Sequence, residues 1–186
     1  MTANNLTREE ARERARLIHG VSYEVALDLT DGAGSAGEEI FRSETVARFG
    51  CVEPGASTFI DVVASQVHEV VLNGRALDGT ASYDDARGRI TLDDLAAENE
   101  LRVVADCIYM RTGEGLHRFV DPVDKAVYLY TQFETADAHR MYTCFDQPDL
   151  KATFQLDVVA PSGWQVVSTM PTPESSSGAR RGAGCS

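Results

Sequence analysis

From Val21 onward the apolar positions recur at every second residue. Val21, Tyr23, Val25, Leu27 and Leu29 alternate with Ser22, Glu24, Ala26 and Asp28, the period of a strand whose successive side chains point to opposite faces. Phe41, Thr45, Ala47 and Phe49 mark one face of a second strand, and Phe59 to Val63 mark a third. The run VHEVVLNGRAL predicts a hairpin, because Asn73-Gly74 tolerates the positive φ angles of a two-residue turn. GRITL, ELRVVADCIYM, AVYLYTQF, ATFQLDVVAP and WQVVS continue the series. Strands this regular, with turn signals between them and almost no helix, predict an all-β fold: an antiparallel β-sandwich or layered sheet.

Upstream the pattern is helical. Residues 6 to 19 predict a short N-terminal surface helix, with Thr7 and Glu10 as a capping box, Glu10 and Arg14 as an i,i+4 pair, and Gly20 to end it. Its apolar face (Leu6, Ala11, Leu17, Ile18) is thin, so the helix is expected to pack on something larger. At the other end, PTPESSSGARRGAGCS has no periodicity and few bulky apolar residues, which predicts disorder. Its Ala, Gly, Arg and Ser bias also suits a GC-rich reading frame running past its natural register, so a truncation or frameshift is expected there. The organisation is therefore a helix over 1–19, a β domain over 20–170 and a disordered tail over 171–186.

Composition narrows the function classes. The 186 residues are 43% hydrophobic and 25% charged, ordinary for a soluble globular chain. A formal net charge of -12 argues against nucleic acid as a partner, since phosphate affinity comes from Lys and Arg. No apolar stretch suits a signal peptide or a membrane span. Cys51, Cys107, Cys144 and Cys185 form no C-x-x-C pair and read as reduced thiols. A cytoplasmic location without membrane partners is the expectation.

Two motifs imitate chemistry. Gly32, Gly34 and Gly37 have G-x-G-x-x-G spacing, but a dinucleotide site needs a helix next, and EEIFRSETVARF alternates like a strand. A hairpin loop is the better reading. His68 and Glu69 begin H-E-x-x-H, yet the second histidine position is Leu72 and the stretch is a strand. Residues four apart on a strand lie ~13 Å apart, too far to chelate one ion. His19, His117 and His139 have no ligand spacing, and no nucleophile–histidine arrangement can be assigned. No catalytic or metal residue is predicted within the chain.

The segment YTQFETADAHRMYTCFDQPDLKATF is different. In AVYLYTQFE one face carries Val127, Leu129, Thr131 and Phe133, and the other carries Tyr128, Tyr130, Gln132 and Glu134. The second face sets an amide beside a carboxylate at a strand end. Pattern alone also fits a solvated sheet face.

That segment, with Gln132, Glu134, Arg140, Phe145, Asp146 and Pro148 as its specific part, resembles the N-terminal domain of the aminopeptidase N family, the zinc gluzincin aminopeptidases, and most of all the actinobacterial type. The likeness runs from about Leu6 to Met170 and includes NLTREEARERA, SYEVALDLT and FRSETVARF. Many members have Glu where this chain has Gln147 and Pro where it has Thr143, both in the supporting turn.

The resemblance implies an all-β domain abutting a thermolysin-like catalytic domain of the same enzyme. There zinc is held by H-E-x-x-H plus a downstream Glu, with G-A-M-E-N beside it. Glu134 matches the family's Glu or Gln that reaches into the active site and holds the substrate's free α-amine, and Gln132 matches a residue lining the pocket for the first side chain. A carboxylate paired with an ammonium in a closed cleft is direct chemistry for reading a peptide N-terminus. This chain carries neither the zinc motif nor G-A-M-E-N, so zinc belongs to the parent enzyme and no hydrolysis is expected from the chain alone. The alternative is a non-catalytic β-sandwich interaction module, which has no need of Glu134 beside Gln132.

Overall fold

A computed structural model describes residues 6–78 and 82–169. The expected tail over 171–186 lies outside the described residues. Helix α1 (Arg8–Leu17) leads directly into strand β1 (Ile18–Asp28). The strands that follow are β2 (Ile40–Cys51), β3 (Thr58–Asp61), β4 (Gln66–Leu72), β5 (Arg75–Ala76), β6 (Tyr83–Asp84), β7 (Arg89–Leu92), β8 (Glu98–Ile108), β9 (Gly115–Val120), β10 (Val127–Gln132) and β11 (Ala152–Val159). A 3-10 turn spans Ala138–Arg140.

Six strands form the main sheet in the order β11-β1-β2-β8-β4-β5, with a three-stranded sheet β3-β7-β6 and a two-stranded ribbon β10-β9. Alternation explains the layering. Tyr23, Val25, Leu27 and Leu29 of the β1 region join Phe41, Ala47, Phe49, Leu101 and Val103 in one buried cluster with Ile60, Ile90 and Leu92 of the smaller sheet. The expected β4–β5 hairpin is present, with Asn73 at φ 52° and Gly74 at φ 76°, the mirror-image turn that matches strand twist.

The sheet departs from the expected antiparallel pattern at one pair. β11 runs parallel to β1, Val21 facing Ala152 and Asp28 facing Val159, because a long crossing through every other strand returns the chain in the same direction. Four local expectations are corrected. WQVVS forms no strand, although Trp164 packs against the core. Gly20 does not end the helix but sits inside β1 at φ 62°. Glu10 and Arg14 do not pair: Glu10 reaches Arg89, and Arg14 reaches Asp61. β9 lies in a stretch to which the sequence pattern assigns no strand, and it is a strand by pairing with β10.

The capping box is as expected. Thr7 Oγ1 accepts from the Glu10 amide at 3.2 Å, and the Glu10 carboxylate accepts from the Thr7 amide at 2.8 Å. The helix docks through a charge. Arg14, 1% exposed, donates from Nη1 to Asp61 Oδ2 at 2.6 Å and from Nε to Gln147 Oε1 at 2.9 Å. Its guanidinium carbon lies 4.7 Å from the Phe59 ring centroid and 5.7 Å from that of Phe145, an arrangement in which ring faces attract the cation. Gln147 Nε2 also donates to the Ala11 carbonyl at 2.8 Å, so the supporting turn grips the helix at two points.

Candidate functional site

β10 carries Gln132 as its last residue, whereas Glu134, expected on the same strand face, lies in the turn that follows. The strand's inner positions Val127 and Leu129 are half-buried, Tyr128 and Tyr130 are half-exposed on the other face, and Gln132 and Glu134 are exposed at the strand end. β9 fixes the height of that end: Tyr128 faces Phe119, Tyr130 faces His117 and Gln132 faces Gly115. His117 and Tyr130 stack with centroids 4.7 Å apart, and His117 Nδ1 accepts from the Gly113 amide at 3.0 Å. β9 in turn is tied to the main sheet. Arg118 Nε donates to the Gly37 carbonyl at 2.9 Å, and the Met110 amide donates to the Leu116 carbonyl at 2.9 Å.

Gln132 and Glu134 are brought together. The Glu134 amide donates to Gln132 Oε1 at 3.1 Å, a side chain-to-backbone turn that leaves the Gln132 NH2 group and the Glu134 carboxylate without partners among the described residues. The peptide bond from Glu134 to Thr135 is cis. The turn then closes: the Asp137 amide donates to the Phe133 carbonyl at 3.1 Å, and Arg140 Nε donates to Asp137 Oδ1 at 2.6 Å. Downstream, the Phe145 amide donates to Tyr23 Oη at 2.8 Å, and Phe145 meets Phe49 edge-on at 5.0 Å. Phe145 therefore anchors the segment in the core.

β10 borders, with residues of both its faces, an open groove of about 1410 Å³ walled by Leu27, Leu129, Tyr130, Phe133, Phe154 and Trp164 among others. Gln132 and Glu134 do not line it. The groove and the polar strand end thus adjoin, through Thr131, Phe133 and Thr135, without sharing Gln132 or Glu134.

Two histidine–aspartate pairs had no sequence signal. His139 Nδ1 lies 2.6 Å from Asp146 Oδ2, and His68 Nε2 lies 2.7 Å from Asp106 Oδ2. The Ser65 hydroxyl donates to the Asp106 backbone carbonyl at 2.9 Å, so its proton is committed there. His68 and Glu69 stand on strand β4. Among the described residues no group of three His, Cys, Asp or Glu side chains is placed to hold a metal ion. The donor set for a zinc is thus not assembled by these residues.

An amide at the end of β10 and a carboxylate in the turn after it form a polar edge on a β scaffold. The chain belongs to the Peptidase M1 N-terminal domain family, which matches residues 22–181. It is 58% identical over 175 residues to an aminopeptidase N of Streptomyces lividans, covering 94% of this chain and 20% of that protein. An aminopeptidase N of Acetobacter pasteurianus is 33% identical over 144 residues, covering 65% of this chain and 39% of that protein. Among solved structures, the M1 zinc metallopeptidase of Deinococcus radiodurans shares the fold, with a TM-score of 0.59 at 17% identity over 77% of this chain and 32% of that one. The chain thus spans about a fifth of the length of the Streptomyces relative.

Proposed function

We propose that this chain is the substrate-anchoring part of a zinc-dependent aminopeptidase, in which Glu134 holds the peptide's free α-amine and Gln132 lines the seat of the first side chain. The observation that supports this most is the unpaired Glu134 carboxylate beside Gln132 at a strand end, which the M1 domain family accompanies. A peptide N-terminus offers an ammonium to the carboxylate, and a carboxylate with no internal partner is ready to receive it. The parent enzyme supplies the zinc, the activated water and the rest of the cleft from its catalytic domain. The chain alone is inactive in this reading, and its location is cytoplasmic.

The test uses an enzyme in which residues 6–169 replace the matching stretch of the Streptomyces aminopeptidase N. Glu134→Ala removes one partner of a shielded charge pair, worth about 2–5 kcal/mol. At about 1.36 kcal/mol per decade, kcat/KM on free-amine substrates falls roughly 30- to 5,000-fold. Near wild-type kcat/KM in that variant means Glu134 is only a solvated sheet residue. The apolar groove favours a second reading, a protein-interaction module. Under that reading Glu134→Ala leaves hydrolysis intact.

A further inference from the structure

Glu134 and Gln132 reach their places only because the turn after β10 holds one shape. Three features of that turn converge on Arg140. Its Nε donates to Asp137 Oδ1 at 2.6 Å, while the Asp137 amide donates to the Phe133 carbonyl at 3.1 Å, closing the turn that contains Glu134. Its Nη2 lies 3.9 Å from Glu114, whose carboxylate also accepts from Thr112 Oγ1 at 3.3 Å. Its stem lies over Gly115, the residue facing Gln132: a Cβ on Gly115 would stand 2.7 Å from Arg140 Cβ and 3.2 Å from Cδ. Gly115 has φ 59°, so both space and backbone conformation select glycine there.

The Arg140 and Asp137 side chains are 25% and 18% exposed, so this pair is partly withdrawn from water. Long side chains that are merely solvated do not need a glycine cleared beneath them. We propose that Arg140, clamped by Asp137 over Gly115, is a positioning residue that sets the distance between Gln132 and Glu134 and hence the seat of the substrate amine. Arg140 need not touch substrate. It joins the β9 side of the strand end, through Gly115 and Glu114, to the turn side, through Asp137, so neither can shift alone. This inference rests on the anchoring role proposed for Glu134.

The experiment uses the same full-length enzyme and two competitive inhibitors, a dipeptide with a free α-amine and the same dipeptide lacking that amine. Their ratio of inhibition constants reports the amine seat and cancels general damage. Arg140→Gln is expected to weaken the amine-bearing inhibitor by up to ~100-fold, the scale of a misplacement near 1 Å, and to leave the other unchanged. Arg140→Lys keeps the charge but not the fork, so it restores part of the ratio. In the chain itself, amide exchange at Asp137 should accelerate in Arg140→Gln. Asp137→Asn gives an independent break of the clamp if Arg140→Gln fails to fold.

The outcomes separate the two ideas. If Glu134→Ala leaves the inhibitor ratio intact, the anchoring role itself is wrong. If Glu134→Ala collapses the ratio while Arg140→Gln and Asp137→Asn leave it alone, the clamp is only structural and the positioning role is overturned. Equal weakening of both inhibitors by the clamp variants overturns it as well.

Discussion

Asp61→Ala would strip the junction between α1 and the smaller sheet of its anion. The carboxylate accepts from Arg14 Nη1 at 2.6 Å and from the Asp146 amide at 3.2 Å, with Arg89 Nε 3.6 Å away. Arg14 Nη2 and Arg89 Nε are buried without hydrogen-bond partners; Arg89 has Glu10 as a second anion, whereas Asp61 is the one carboxylate among the described residues that pairs with Arg14. The two arginine side chains are 1% and 9% exposed and that of Asp61 is 12% exposed, so solvent screens little of the interaction. Removing one partner of a buried pair costs about 3–5 kcal/mol, because the other charge stays buried and unmatched. At about 2–4 °C per kcal/mol for a domain of this size, the melting temperature should fall by about 6–20 °C.

Asp61→Asn keeps an acceptor oxygen and the volume, so it should lose less. The pairing of Arg14→Met with Asp61→Ala should recover part of the loss, since apolar replacements of buried ion pairs are often tolerated. Urea unfolding measures each difference as a shift in midpoint at constant slope. A loss below about 1 kcal/mol for Asp61→Ala, the scale of a surface pair, would refute the account, as would strict additivity in the double variant.

The Arg89 guanidinium beside Glu10 holds that carboxyl near pH 2 against a usual value of 4.5, with the Thr7 amide adding to the effect and burial opposing it. A depressed folded value means the contribution is whole above about 4.5 and fades as pH falls toward about 2. Acid titration of stability should therefore flatten over that window in Glu10→Gln, and an unchanged curve would count against the pair. Burial pushes the Cys107 thiol up to about 12 and raises that of Cys144 well above its usual range. Thiol reagents at neutral pH should leave both untouched until denaturant is added, because the thiolate is the reactive form; rapid native labelling would show the core opens. In the full-length enzyme Glu134→Gln, which keeps an acceptor, should lose less kcat/KM than Glu134→Ala; equal losses would mean that a neutral acceptor recovers nothing and the charge carries the whole effect.

Strands whose signal is local were legible. β1, β2 and β8 alternate cleanly because one face meets the core along their whole length, and the Asn73-Gly74 turn carries its own backbone chemistry. What escaped the sequence depends on distant partners. Arg14 looks like a solvent residue on a thin helix, and only Asp61, Phe59 and Gln147 make its burial tolerable. β9 is short and lacks a clean alternation, and it becomes a strand against β10. For the site, the alternation placed Gln132 and Glu134 on one face of one strand. The clamp of Arg140 on Asp137 over Gly115 has no period to reveal it, because it is a meeting of a turn with a neighbouring strand.

The parallel pairing of β11 with β1 also fixes an order of events during synthesis. Partners such as Val21 and Ala152 are roughly 130 residues apart, and loop-closure entropy must be met before such a contact returns anything. As the polypeptide leaves the ribosome, β1 can pair early with β2, but its second edge stays bare until β11 has emerged. Throughout that interval the row formed by Val21 to Asp28 is open to any other nascent chain with an unpaired edge. Chaperone dependence of this domain should therefore be governed by the time taken to deliver residues 152–159, so that slowing translation ahead of β11 raises aggregation while slowing it after β11 does not.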